Sequence, residues 1–377
     1  MESSVKLVHI ITDLSAGGAQ SMLLNLLKYA DRERYSISVI SLTTKGSLGS
    51  QIESLGVQVY CLDMVRGRFH IGKFFKLILI LRGLRPNVVH TWLNHSDLLG
   101  GIASKIVGVR KVIWSIHMSN LSTSVNKKST LFIIKICAIL SKWIPDAIIS
   151  CSNVASKNHV LFGYDNNKII TIPNGFDLDK YHPSMRKKSS LRMDLGLPKD
   201  SLIVGMISRY DAQKNYEGFI KASGLIHKER RDIFFVLVGA GVAHHPGLLE
   251  AIKKEGVSSV TYLLGERTDI PNIMASIDIL ASPSHGEAFS MVIGEAMACG
   301  TPCVVTDVGD SALIIQDSGS VVKPGDMIGF AGEILKIFQL SKHERKTLSV
   351  KSRDRISSNF EIKLIVKKYQ TVYRKLL

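Results

Sequence analysis

Short β-branched apolar runs alternate with stretches of helical periodicity along this chain, and the whole series occurs twice. In the first series, strands are expected at 5–12, 36–42, 57–62, 87–91, 111–115, 146–150 and 169–172. Helical spacing fills 19–29, 48–55, 69–84 and 96–107 between them. Consecutive strands joined through helices cannot pair as hairpins. They require right-handed crossovers and therefore parallel sheets with both faces covered. Pro173-Asn174-Gly175 interrupts the pattern with a turn. A second series follows, with strands at 202–208, 233–238, 260–264, 279–282, 302–306 and 320–322.

This repetition predicts an α/β protein with two Rossmann-like domains facing across a cleft. The first is expected over 1–180, the second over 181–355, and a basic helix over 356–377 ends the chain. The charged, proline-containing segment 176–200 reads as a linker, with a strongly basic run at 185–192. At 377 residues, two cores are the ordinary expectation. Parallel sheets bind ligands beyond the carboxyl ends of their strands, so the loops there are the places to look for chemistry.

Composition removes several classes. Apolar content of 45% and charged content of 21% are those of a globular chain. No run approaches the roughly 18 uncharged apolar residues of a membrane span. The first residues enter a strand without a signal-peptide pattern. Five irregularly spaced cysteines do not form a disulfide framework, and Cys299 and Cys303 lack the partners of a zinc site. A cytoplasmic location is the expectation. The net charge of +16 is concentrated: residues 66–142 hold thirteen Lys or Arg and one acid, Asp97. Two apolar runs, 74–81 and 131–136, lie in the same stretch. Basic residues beside apolar segments suit the inner face of an anionic membrane, although two core helices with solvated lysines would read the same way. No basic motif interleaved with aromatics points to nucleic acid.

The polar motifs all fall at strand ends. Gly17 and Gly18 follow the first strand and open a helix, where backbone amides can approach a ligand. The spacing is not that of a dinucleotide fingerprint. Arg209 and Lys214 follow the first strand of the second series, and two cations there suit a diphosphate. Arg267, in a Gly/Pro loop, is placed to line a nucleobase. Glu287 and Glu295 flank a turn and a helix start, with the amides of Ser290, Met291 and Val292 between them. Glu295 sits about two turns inside an apolar helical stretch, where a charge needs a partner. His90, His95 and His117 stand near strand ends without metal-ligand spacing, and His117 is the best placed to face a ligand. Asp177-Leu178-Asp179 is read as a hinge element, so neither a metal nor another cofactor is expected.

Taken together, these residues resemble glycosyltransferase family 4, the retaining enzymes with the GT-B fold. The likeness is carried by Gly17-Gly18-Ala19, the run 173–177, Arg209 with Lys214, Glu287 with Glu295, the run 294–302 and the run 305–310. The resemblance implies transfer of a sugar from a nucleoside-diphosphate sugar, a UDP-sugar first, to an acceptor hydroxyl of a lipid-linked surface glycan. It implies that Arg209 and Lys214 bind the diphosphate, Glu295 the ribose and Glu287 the transferred sugar. The amides of 290–292 would hold sugar or phosphate oxygens, and the Gly17–Gly18 loop would close over the donor. Ile116-His117-Met118-Ser119 departs from the Arg-His-Ser of relatives, as Ala288 and Ser290 depart from Gly and Pro. An epimerase of the same fold and a non-catalytic nucleotide-sugar-binding protein are the competing readings.

Overall fold

The structure, a computed structural model, describes residues 4–65, 67–68, 70–123, 126–183 and 185–377, the side chains of 185–189 excepted. Arg66 and Phe69, expected in the basic stretch and the third helix, lie outside the described residues. So do the side chains of Arg186, Lys187 and Lys188. The chain forms two compact units, one of 1–175 with 362–377 and the other of 176–361.

The first unit is built on a seven-stranded parallel sheet. Its strands are β1 (Val5–Ile11), β2 (Tyr35–Ser41), β3 (Gln58–Cys61), β4 (Val88–Trp92), β5 (Lys111–Ile116), β6 (Ala147–Ser150) and β7 (Ile169–Thr171), in the order β3-β2-β1-β4-β5-β6-β7. β4 and β6 are buried at every residue, as expected of strands covered on both faces. The helices are α1 (Gly18–Lys28), α2 (Gly46–Ser54), α3 (Ile71–Leu84), α4 (Asn94–Ile106), α5 (Lys128–Leu140) and α6 (Asn153–Leu161). The strand order reverses between β1 and β4. Right-handed crossovers therefore place α1 and α2 on one face and α3, α4 and α5 side by side on the other.

The second unit carries a six-stranded parallel sheet. It comprises α7 (Met185–Asp194), β8 (Leu202–Ile207), α8 (Tyr216–Glu229), β9 (Ile233–Val238), α9 (Pro246–Lys254), β10 (Thr261–Gly265) and α10 (Ile270–Ser276). There follow β11 (Ile279–Ser282), α11 (Met291–Ala298), β12 (Cys303–Thr306), α12 (Ser311–Ile315), β13 (Ser320–Val322), α13 (Met327–Gln339) and α14 (Lys342–Asn359). The order is β10-β9-β8-β11-β12-β13, with its reversal between β8 and β11.

Two expectations need correction. Residues 176–200 are not a linker. They belong to the second unit, where α7 packs on α10. Arg192 is buried there and donates to the carbonyls of Ser201 and Ser276 and to Asp278 at 2.5 Å. A guanidinium so enclosed turns a basic run into a fastening. Nor is 356–377 one helix, because α14 ends at Asn359 and α15 (Ile362–Leu376) belongs to the first unit. On α15, Ile362, Ile365, Val366, Tyr369, Val372 and Tyr373 form one buried stripe against the core of that unit.

One glycine in the second unit is required by packing rather than by conformation. A Cβ on Gly294, inside α11, would lie 2.0 Å from the Phe176 ring, which itself stacks on Phe289. Alanine ordinarily gains about 1 kcal/mol over glycine in a helix. Here the clash outweighs it, and Gly294→Ala is expected to destabilise the second unit by about 1–3 kcal/mol in denaturant titrations. A gain in stability would show that Phe176 does not pack as described.

Candidate active site

At the reversal of the second sheet, the loops leaving β8 and β11 meet side by side. Asn215, left-handed at φ 57, caps α8 by accepting from the Gly218 amide, and its Nδ2 donates to the Pro283 carbonyl at 3.0 Å. The His285 amide donates to the Gln213 carbonyl at 2.7 Å, which ties the two loops again. Thr306, at the end of β12, donates to the Ser284 carbonyl at 2.5 Å. These ties bring Lys214 Nζ to 2.6 Å from Glu287 Oε1 across 73 residues of sequence. The Ser284 hydroxyl donates to the same carboxylate oxygen at 2.9 Å. The Glu287 side chain is 10% exposed and that of Lys214 22%, so the pair is largely withdrawn from water but open on one side.

Behind Glu287 lies the turn before α12. Gly309, at φ 57, passes so close that a Cβ would stand 2.4 Å from the Glu287 carbonyl oxygen, and the Asp310 amide donates to Ala288. Only glycine allows this approach. Four residues beyond Glu287, α11 begins at Met291 with Ser290 as its buried N-cap, which supplies no side-chain cap. The amides of Ser290, Met291 and Val292 thus lie in the first turn, where helix geometry provides no acceptor. A cation, a carboxylate and a set of donor amides share one corner.

Glu295 is one turn into α11, not two. Its carboxyl is pushed up by burial, against which a hydrogen bond from Tyr181 and the charge of Lys180 act. The Tyr181 hydroxyl is itself pushed up by burial and by the charge of Glu295. Arg353 donates to the carbonyls of Tyr181 and Ala298, which fixes both the tyrosine and the end of α11. The partner that an apolar helix demanded for Glu295 is therefore a phenol. Tyr181 was missed in sequence. Its position four residues after Asp177 is the signal, since Asp177 accepts from the amides of Asp179 and Lys180 and turns the chain toward α11.

Arg209 and Arg267 are not drawn into this cluster. The Arg209 side chain is 66% exposed and lies against Asp211 at 3.2 Å. Arg267 forms a two-bond pair with Asp269, both at 2.8 Å. Each keeps its charge at a strand-end loop.

In the first unit, the loops leaving β1 and β4 meet at its own sheet reversal, where Thr12 and Ser96 hydroxyls lie 3.1 Å apart. Gly17 is the extended N-cap of α1 and Gly18 its exposed first residue. Leu93, directly after β4, holds a left-handed φ of 74, a strained conformation for a branched side chain. His117 follows β5 and stacks on Trp92 at 5.2 Å; burial lowers its pKa to about 4. His90 is a core residue. Its nitrogens lie 2.8 Å from the Tyr373 hydroxyl and 2.7 Å from that of Ser115. Among the described residues, no group of three His, Cys, Asp or Glu side chains is arranged to hold a metal.

Solved structures share this architecture. Anabaena Alr3699/HepE in complex with UDP superposes with a TM-score of 0.85 over 98% of this chain and 100% of that one, at 22% identity. TarM superposes with a TM-score of 0.80 over 99% of both chains, at 14% identity. Two parallel α/β units with these neighbours define the GT-B fold of glycosyltransferases. The chain belongs to that enzyme class: residues 16–180 match the model Glycosyltransferase Family 4, and residues 201–339 match Glycosyl transferases group 1. Among its relatives is the Escherichia coli UDP-Gal:alpha-D-GlcNAc-diphosphoundecaprenol alpha-1,3-galactosyltransferase, 26% identical over 98% of this chain and 97% of the relative. The Bacillus subtilis putative glycosyltransferase EpsF is 25% identical over 81% of this chain and 80% of its own length.

Proposed function

We propose that this glycosyltransferase moves a sugar, with retention, from a UDP-sugar to a hydroxyl of a lipid-linked surface glycan at the cytoplasmic face of a membrane. The observation that carries the reading is the Lys214–Glu287 pair near the start of α11. Lys214, with Arg209, receives the donor diphosphate. Glu287 and the amides of Ser290, Met291 and Val292 hold the sugar and phosphate oxygens, and Glu295, oriented by Tyr181, accepts the ribose hydroxyls. Arg267 and its loop line the base. Gly17 and Gly18 present the amides of α1 to the donor. His117, kept neutral by burial, hydrogen-bonds a sugar or acceptor hydroxyl. The bond from the anomeric carbon to the diphosphate breaks, and the acceptor oxygen bonds that carbon on the same face. Its proton passes to a diphosphate oxygen. Preorganised positive charge at the leaving group lowers the barrier, so neither a metal nor another cofactor is invoked.

The bound UDP of HepE and the polyprenyl-diphosphate acceptor in the name of the E. coli relative support the donor and acceptor classes. The basic stretch 66–142 supports work at an anionic leaflet. The test is transfer from a panel of UDP-sugars, with the anomeric configuration of the product read by NMR. Glu295→Ala is expected to raise the donor KM by about 10-fold or more, while Glu287→Gln retains UDP affinity and loses kcat. An inverted product overturns retention, and the opposite partition between KM and kcat overturns the two roles.

A further inference from the structure

Helix α5 turns Ile134, Cys137 and Ala138 into the first unit and leaves its other face open. That face reads Lys128, Phe132, Lys135, Ile139, and, directly after the helix, Lys142 and Trp143. Steps of three and four residues set them in one stripe. Phe132 is 65% exposed, Ile139 56% and Trp143 66%. A shallow pocket of about 190 Å³ opens in the stripe between Lys135, Lys142, Trp143 and Phe162. In the same helix layer, α3 exposes Ile71, Phe75 and Leu79 at four-residue steps, along with Lys76 and Arg82. The single acid between residues 71 and 142 is Asp97. It is fully buried and accepts from Thr91 at 2.5 Å. The exposed charge contributed by this stretch is therefore all positive.

Large apolar side chains ringed by lysines, with an indole at the rim, suit the interface of an anionic bilayer. The rings enter the headgroup region, and the lysine stems extend to the lipid phosphates. A solvated face would not expose Phe132, Ile139 and Trp143 together. A second copy of the chain would set lysines against lysines across a two-fold axis. Among the described residues no helix is long and apolar enough to cross a membrane, so contact of this kind is peripheral.

We propose that the outer face of α5 docks this enzyme on anionic phospholipid, with Phe132, Ile139 and Trp143 inserted and Lys128, Lys135 and Lys142 paired with lipid phosphate. The purpose of the surface rests on the lipid-linked acceptor reading, but its binding does not need the catalytic residues.

Trp143 is a direct reporter, because Trp92 and Trp114 are fully buried. With the full chain, phosphatidylglycerol-containing vesicles are expected to shift the tryptophan emission to the blue and to carry the protein into the pellet. High salt reverses both effects, and phosphatidylcholine vesicles produce neither. The variant Lys128→Glu/Lys135→Glu/Lys142→Glu is expected to lower the partition coefficient by about 100-fold or more, given roughly one decade or less per basic residue. Its UDP affinity stays unchanged. Trp143→Ala weakens binding but keeps the salt dependence. Equal binding to neutral vesicles overturns the proposal, as does a triple charge variant that still binds. Lipid-free self-association that the triple variant abolishes assigns the face to a second copy and overturns it too. Vesicle binding without any sugar transfer leaves the docking surface standing and removes the acceptor reading.

Discussion

Lys214→Ala is expected to lower kcat/KM for sugar transfer by about 100- to 1,000-fold, the cost of removing one preorganised donor from a developing negative charge. The ammonium serves two states of the site. Without donor it neutralises Glu287 at 2.6 Å, and with donor it meets the diphosphate. Removing it takes the ammonium away from a carboxylate that is 10% exposed, which costs about 1–3 kcal/mol of stability as well. The two effects separate by comparison with Lys214→Ala/Glu287→Gln. The double variant recovers the denaturation midpoint, since the buried carboxylate charge is gone, whereas its UDP affinity stays low although Glu287→Gln alone retains it. UDP affinity measured calorimetrically falls in both. Wild-type kcat/KM in Lys214→Ala would sink the assignment of the site to this corner.

The second large effect is a loss of stability in mild acid, concentrated in the first unit. His9, His90, His117 and His159 are held neutral by burial: His9 is lowered to about 3, His117 and His159 to about 4, and His90 well below its ordinary value. His9 and His90 sit opposite each other in register on β1 and β4, with His9 accepting from the Trp92 indole at 3.0 Å. Unfolding returns each imidazole to a pKa of about 6.5, so between about pH 6.5 and 4 the unfolded chain binds the extra protons. Stability from these groups is present above pH 6.5 and is lost as the pH falls. Each contributes a slope of about 1.4 kcal/mol per pH unit. Asp97 acts in the opposite sense, because burial raises its carboxyl and the folded state then holds the extra proton. His95 is lowered by burial as well, so the histidines outweigh Asp97, and a net slope of about a few kcal/mol per pH unit is enough to exhaust the stability of an ordinary domain between neutral pH and pH 4.

All three tryptophans, 92, 114 and 143, lie in the first unit, so their fluorescence follows its unfolding selectively. The denaturant midpoint read this way is expected to fall steeply from pH 7 to pH 5. His90→Gln, which places an uncharged polar group in the same site, is expected to flatten the slope by about 1.4 kcal/mol per pH unit. A midpoint unchanged over that range would contradict the burial of these rings.

Much of this molecule was legible as pattern. Period-two and period-3.6 segments lie where strands and helices form, because backbone geometry makes those repeats visible in any chain. The expected strand at 320–322 is β13 to the residue. The basic run at 185–192 misled because charge suggests solvent, whereas Arg192 is satisfied by two carbonyls and a carboxylate inside the second unit. The last helices misled because the break at Phe360 and Glu361 carries neither Gly nor Pro. The Phe176 amide pairs instead with the Phe360 carbonyl there, beside a bridge from Phe176 to Glu361. The apolar runs in α3 and α5 matched core segments in composition, and only burial separates their inward stripes from Phe75, Leu79, Phe132 and Ile139.

The sequence by itself determined the element types, the parallel sheets and the chemistry available at the strand ends: two cations, two carboxylates and glycine turns. Tertiary structure decided which of these meet. Lys214 reaches Glu287 because β11 lies beside β8 rather than beside β10, and Arg209 and Arg267 instead turn to Asp211 and Asp269. Tyr181 becomes the partner of Glu295 because Arg353, on α14, holds its backbone against the end of α11. Strand order follows from crossover connections between distant segments. Local periodicity carries no record of it, since each strand's repeat is the same whichever neighbour it pairs with.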